Sequence, residues 1–177
     1  MLTFLAALGL GAVAAFALRV ATRPAAMHVE RSTVVNAPPE KIYPLIEDFH
    51  RWSSWSPFEK LDPAMQRTFS GSESGKGAIY GWSGNKKAGE GRMEITDTSP
   101  PNRVTIKLDF MKPFESHNIC DFTMQPRSGA TELTWAMHGQ NNTMAKVMQS
   151  FVSMDKLIGK DFDEGLAKLK AAAEGGG

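Results

Sequence analysis

The sequence predicts an α+β protein in which a curved antiparallel sheet meets a long C-terminal helix, preceded by an apolar segment suited to a membrane. Three observations carry this. Between Met65 and His138, short stretches of alternating apolar and polar residues are separated by Gly, Pro, Ser and Asn turns. From Thr143 the apolar spacing changes to that of a helix. Met1 to Leu18 carries no charged side chain.

As a helix, residues 1–18 would span roughly 27 Å at about 1.5 Å per residue, close to a bilayer core of about 30 Å. A cleaved signal peptide would need a basic start and a small-x-small cut site. No Lys or Arg precedes the run, and Ala15-Phe16-Ala17 is a weak cut site. A buried core helix is the remaining alternative, but a segment apolar all round is hard to bury in a small domain. The expectation is a transmembrane anchor over residues 1–20, a linker over 21–26 containing Pro24, a domain over 27–174 and a disordered glycine tail over 175–177. Arg19 and Arg23 follow the apolar run. By the positive-inside rule they put the domain of this single-pass protein on the cytoplasmic side.

The remainder suits one globular domain. The chain has 177 residues, of which 42% are hydrophobic and 22% charged. A formal charge of +1 and the lack of any run of Lys or Arg argue against a nucleic-acid partner. Cys120 is the single cysteine, so no intrachain disulfide forms.

Met27 to Val35 alternates as a strand, with Val29, Arg31, Thr33 and Val35 on one face. Asn36-Ala37-Pro38-Pro39-Glu40 reads as a helix start, because Pro is tolerated in the first turn. Ile42, Leu45, Ile46 and Phe49 continue at helical spacing, while Pro44 predicts a short or kinked helix. Trp52 to Phe58 is a turn-rich aromatic cluster. Six strands follow, over 65–70, 77–83, 88–97, 103–111, 114–125 and 130–138, and their regular turns predict a meander. Met144, Val147, Met148, Phe151, Ile158, Phe162, Leu166 and Leu169 then mark an amphipathic helix, with Asn141 or Asn142 to cap it. Gly159 and Gly165 interrupt it, each lowering helix propensity by about 1 kcal/mol. They predict either close approach to the sheet or a bend.

This order resembles the SRPBCC superfamily, the helix-grip fold shared by START lipid-transfer domains, the birch-pollen allergen and polyketide cyclases. The resemblance covers residues 27–174. It is carried by Val34-Val35-Asn36-Ala37-Pro38-Pro39-Glu40-Lys41-Ile42, by the Trp52 and Trp55 pair, and by Gly159-Lys160-Asp161-Phe162. The first of these segments is similar to the bacterial polyketide cyclase/dehydrase and lipid transport subgroup. The resemblance implies a cavity between the sheet and the C-terminal helix. Members include carriers, sensors, chaperone activators and some enzymes, so the fold does not settle the activity.

Strand parity selects what such a cavity would present, since successive side chains point to opposite faces. The candidate ligand-binding residues are Arg67, Phe69, Tyr80, Trp82, Met93, Phe110, Asn118, Phe122 and Trp135 on the strands, with Met148 and Phe151 on the helix. For each of them a packed core is the competing reading. The mixture of Trp, Tyr and flexible Met suits adaptable apolar binding. Arg67 is the one inward charge, placed either to meet an anionic headgroup or to keep its head in water at the rim. Glu94, Lys107, Asp109, His117, Asp121, Glu132 and His138 fall on the opposite face. No catalytic residue is therefore assigned, because an acid or base must reach the substrate. His117 and Cys120 point to opposite faces, and no metal or cofactor is expected. The expected partner is a hydrophobic small molecule or lipid, with the membrane contacted by the N-terminal helix and any protein partner left open. A cyclase- or dehydratase-type enzyme using the same cavity, and a ligand-free regulatory module, are the alternatives.

Overall fold

Side-chain alternation is visible strand by strand in the computed structural model, which describes Ala15, Leu18 and residues 20–22, 26–140 and 154–175. Strand β1 (Ala26–Val35) buries Met27, Val29 and Val35 and exposes His28, Glu30, Ser32 and Val34. Helix α1 (Pro39–Glu47) follows, with Pro39 in its first turn and Pro44 inside it. Two 3-10 turns, Phe49–Ser54 and Pro57–Lys60, lead into the meander β2 (Gln66–Gly71), β3 (Ala78–Ser83), β4 (Glu90–Ser99), β5 (Arg103–Lys112), β6 (Ser116–Arg127) and β7 (Ala130–Gln140). The final helix is α2 (Met154–Gly175).

The sheet has seven strands in the order β1-β7-β6-β5-β4-β3-β2, antiparallel throughout. Strand β1 closes against the last strand, so the chain after it must cross one face to reach β2. That crossing is α1 and the two 3-10 turns, which share the inner face with α2. The inner face carries Tyr80, Met93, Ile95, Val104, Ile106, Leu108, Cys120, Phe122, Met124, Leu133, Trp135 and Met137, all buried. The outer face carries ion pairs: Arg92 with Glu94, Lys107 and His117 with Asp109, and Arg127 with Glu132.

Helix α2 packs mainly on β1 and also touches α1, the second 3-10 turn and β7. Asp155, Gly159 and Asp163 stand at i, i+4 and i+8, so they share one helix face. The Arg31 guanidinium lies over Gly159, 2.8 Å from Asp155 and 3.4 Å from Asp163. At the other end the Asn36 backbone N–H donates to the Glu174 carboxylate at 2.6 Å. Gly159 and Gly165 both mark close approach. A Cβ at Gly165 would stand 2.8 Å from Cζ3 of Trp135 and 3.1 Å from Cδ of Pro57.

Several expectations change. The helical spacing at Met144, Val147, Met148 and Phe151 falls outside the described residues, as do Asn141 and Asn142. Ala21 has helical backbone and Ala26 pairs in β1; residues 23–25 of the expected linker lie outside the described residues. Gly175 ends α2, and residues 176–177 lie outside the described residues. No described helix is long and apolar enough to cross a membrane; most of residues 1–20 lies outside the described residues. The N-terminal transmembrane helix and the single-pass placement built on it thus gain no support from the structure.

Gly165→Ala is expected to destabilise the protein by about 1–3 kcal/mol, the usual range for overpacking, although Ala favours helix by about 1 kcal/mol. Gly159→Ala meets only the movable end of Arg31 and should lose less. Urea denaturation of the two variants checks the order.

Candidate functional site

The cavity is built from the crossing segment. Helix α1 ends at Glu47, leaving its last carbonyls without helical partners. Two indoles supply them: Trp52 Nε1 donates to Ile46 O at 2.9 Å and Trp55 Nε1 to Leu45 O at 2.8 Å. Asp48 starts the first 3-10 turn by accepting from the His50 N–H at 2.9 Å. The rings then pack on the sheet. Phe122 meets Trp52 and Trp55 edge-on, each with centroids 6.0 Å apart. Trp135 lies between Phe122 at 4.9 Å and Phe162 of α2 at 4.0 Å.

Helix α2 and this cluster cover β1, β7 and part of β6. Beside them a hollow of about 560 Å³ remains over the inner faces of β3, β4 and β5 and reaches Cys120 of β6 and Trp135 and Met137 of β7. Its floor is Tyr80, Trp82, Met93, Leu108, Phe110, Cys120, Trp135 and Met137. Trp52, Ser56, Phe58, Glu59, Leu61 and Met65 come from the segment before and into β2, and Ile158, Asp161 and Phe162 from α2. Lys87 and Leu61 are lining residues that are also exposed, so they mark the mouth. The volume falls in the usual range for small-molecule sites, about 300–1,000 Å³.

Polar groups in the wall are few. The Glu59 side chain is 8% exposed and is held from two sides. Tyr80 OH donates to its Oε1 at 2.7 Å, and Arg67 Nε donates to its Oε2 at 2.7 Å. The remaining Arg67 nitrogens donate to the Met65 and Glu59 carbonyls at 2.8 and 3.0 Å. Burial, and then Glu59, push the Tyr80 hydroxyl well above its ordinary value, so it remains a donor at neutral pH. Burial pushes the Cys120 thiol up to about 12, which leaves almost no thiolate for nucleophilic chemistry. No cluster of metal-ligating side chains occurs among the described residues.

Of the eleven residues expected at the site, Tyr80, Trp82, Met93, Phe110 and Trp135 line the cavity. Four others do not. Phe69 is 43% exposed on edge strand β2 and stacks on His50 at 4.2 Å. Arg67, on the same strand, pairs with Glu59 at 2.7 Å and does not line the hollow. Every residue of β2 is exposed, although His50 and Glu59 of the 3-10 turns touch its inward face. Phe122 is wholly buried beneath the Trp cluster. Asn118 is buried away from the hollow, donating to Ser116 Oγ at 3.3 Å beside Gly139. Met148 and Phe151 lie outside the described residues. Parity could not find Ser56, Phe58, Glu59, Leu61, Lys87 or Asp161, which sit on turns and helix. The strands offer no inward carboxylate, as expected; the two that reach the cavity come from a 3-10 turn and from α2.

The comparisons agree with this geometry. The family model described as polyketide cyclase/dehydrase and lipid transport matches residues 26–174. The chain belongs to this family, within the SRPBCC superfamily. It is similar in structure to protein MLL2253 from Mesorhizobium loti, at 15% identity and a TM-score of 0.63, over 85% of this chain and 99% of that one. Protein CV1439 from Chromobacterium violaceum superposes at 16% identity and a TM-score of 0.60, over 86% and 99%. The Aha1 dimer from Colwellia psychrerythraea gives 15% identity and a TM-score of 0.59, over 85% and 99%. At these identities the likeness concerns the fold. No match was found among curated proteins. Family and fold fit hydrophobic ligand binding or polyketide cyclase/dehydrase-type chemistry.

Asp161 supplies a pH test within the family's cavity wall. Burial, and then Glu164, raise its carboxyl above the ordinary value against the pull of Lys160. The folded state therefore favours the protonated form, and ionisation at neutral pH costs stability. Asp161→Asn is expected to raise the thermal midpoint at pH 7. The gain should close as pH falls below the usual carboxylate value, where the native group is also neutral. Calorimetry at pH 7 and pH 3 checks this.

Proposed function

We propose that this protein binds or carries a hydrophobic small molecule or lipid in the hollow between its sheet and α2, held at a membrane by residues 1–20. The observation that supports this most is the cavity of about 560 Å³ with Trp82, Met93, Phe110, Trp135 and Met137 in its wall. Transfer of an apolar ligand from water is favourable by about 25 cal/mol per Å² buried. Flexible Met side chains let such a wall adapt to more than one shape.

The membrane part draws support from the sheet register. Ala26 pairs with Gln140, Asn118 with Gly139, Phe110 with Ser116, and Gly91 with both Phe110 and Trp82. The start of β1, the β5–β6 hairpin and the β3–β4 hairpin therefore occupy one end of the sheet. Lys87, at the cavity mouth, is on the β3–β4 hairpin. Met111 and Phe114, 49% and 47% exposed, are on the β5–β6 hairpin. An anchor preceding β1 would bring that end, with its mouth and its apolar tips, toward lipid.

A cyclase- or dehydratase-type reaction in the same hollow is the second reading, favoured by the Glu59–Tyr80 pair facing it. Both Glu59 oxygens are already engaged, one by Tyr80 and one by Arg67, which leaves neither free to take a substrate proton. Native mass spectrometry of the full chain, released from mild detergent, tests the leading reading. A bound apolar metabolite or lipid at 1:1 stoichiometry is expected. Preparations that never retain one, from membranes or from lipid mixtures, would contradict it.

A further inference from the structure

The protein has four tryptophans, and three of their indoles donate to backbone carbonyls: Trp52 to Ile46 at 2.9 Å, Trp55 to Leu45 at 2.8 Å and Trp82 to Ala88 at 3.0 Å. Trp135 differs. It is 2% exposed, and its Nε1–H finds no oxygen or nitrogen partner, only the thiol of Cys120. Ser56, also 2% exposed, has an equally unpaired Oγ. Both residues line the cavity, and among the described residues no other buried side-chain polar atom is left unpaired. Native proteins seldom leave such atoms without partners, so each instance calls for a physical reason.

The indole cannot turn to find a partner. Phe162 stacks on one face at 4.0 Å and Phe122 on the other at 4.9 Å. The Cζ3 corner is directed at Gly165, where an added Cβ would lie 2.8 Å away. Nε1 is on the opposite edge of the ring, toward the thiol of Cys120, another lining residue. Sulfur is only a weak acceptor. Ser56 belongs to the same end of the hollow, because its neighbours Trp55 and Phe58 pack their rings on Trp135 at 5.6 and 6.2 Å.

We infer that Trp135 Nε1 and Ser56 Oγ form a polar pole in the cavity, which selects ligands bearing a neutral carbonyl-type oxygen on an apolar body. This rests on the ligand-binding reading. An indole N–H only donates, so its complement is an acceptor. A hydrocarbon of the same shape would leave the donor buried and unpaired, and sites of this kind reject such analogues strongly. The other charges favour neutrality in the ligand. Carboxylates of Glu59 and Asp161 face the hollow, and the nearest guanidinium, Arg67, is already engaged by Glu59. A free carboxylate at this pole would meet like charge, and the lining cation Lys87 stands away from it at the mouth.

The matched probes 2-acetylnaphthalene and 2-ethylnaphthalene differ in the carbonyl oxygen and little in shape. Both are titrated into the full chain labelled with 15N at tryptophan. The ketone should bind at least tenfold more tightly than the hydrocarbon and should move the Trp135 indole N–H resonance downfield, while the hydrocarbon does not. That resonance is assigned with Trp135→Phe, or through contacts to the Phe122 and Phe162 rings should the variant not fold. Ser56→Ala should cut the preference for the ketone several-fold and leave hydrocarbon affinity unchanged. Equal affinities with an unmoved resonance would overturn the inference while leaving the ligand-binding reading intact. Equal losses for both probes in Ser56→Ala would remove Ser56 from the pole. Binding of neither probe would overturn the reading and the inference together.

Discussion

A single stack of three rings sets the distance between helix and sheet. Phe122 rises from β6, Trp135 from β7 and Phe162 descends from α2, with the last two nearly parallel at 8°. Gly165 admits the far corner of the indole beneath the helix. Arg31 and Glu174 hold the two ends of the helix to the β1 side. With α2 fixed there, the inner faces of β3 to β5 have no helix of their own. They are roofed by the 3-10 segment, and the space left over is the cavity. The hollow is thus a consequence of where the helix is pinned, while the side chains around it remain individually well packed.

The same constraint orders the chemistry of the wall. A bulky ring clamped on both faces cannot re-orient, so its N–H is fixed in advance of any ligand. Glu59 is likewise immobilised by Tyr80 and Arg67. The charged groups of the strands face outward, where ion pairs such as Arg92–Glu94 and Lys107–Asp109 sit in water and contribute little to stability. Apolar binding with a few fixed polar contacts follows from this division. Acid-base catalysis would need Glu59 freed from Arg67.

Much of this was legible in the sequence, and the misses have a common origin. Period-two alternation located all seven strands and put Tyr80, Trp82, Met93 and Trp135 on the inner face. It says which way a side chain points, and nothing about whether another element covers it. Phe69 and Arg67 are therefore expected inside, although β2 is an edge strand exposed along its whole length. Asn118 and Phe122 do point inward, but into packed regions away from the hollow. The residues missed, apart from Asp161 on α2, lie where neither period two nor period 3.6 applies. A signal was present all the same: Phe49, Trp52, Trp55 and Phe58 recur every third residue, the period of a 3-10 helix. Read that way, they form one aromatic face, and Ser56 and Glu59 follow as its flanks. The unpaired indole had no counterpart in the sequence, because it depends on what three other tryptophans find to bond.

The dependence of the site on the ring stack is measured most directly by a double-mutant cycle on stability, with Trp135→Leu, Phe162→Leu and the double variant of the full chain in urea. A coupling of about 0.5–1.5 kcal/mol is predicted for rings in this arrangement, beyond the area each one buries. Strict additivity of the two substitutions would contradict the account, since the helix would then be held to the sheet by something other than this stack.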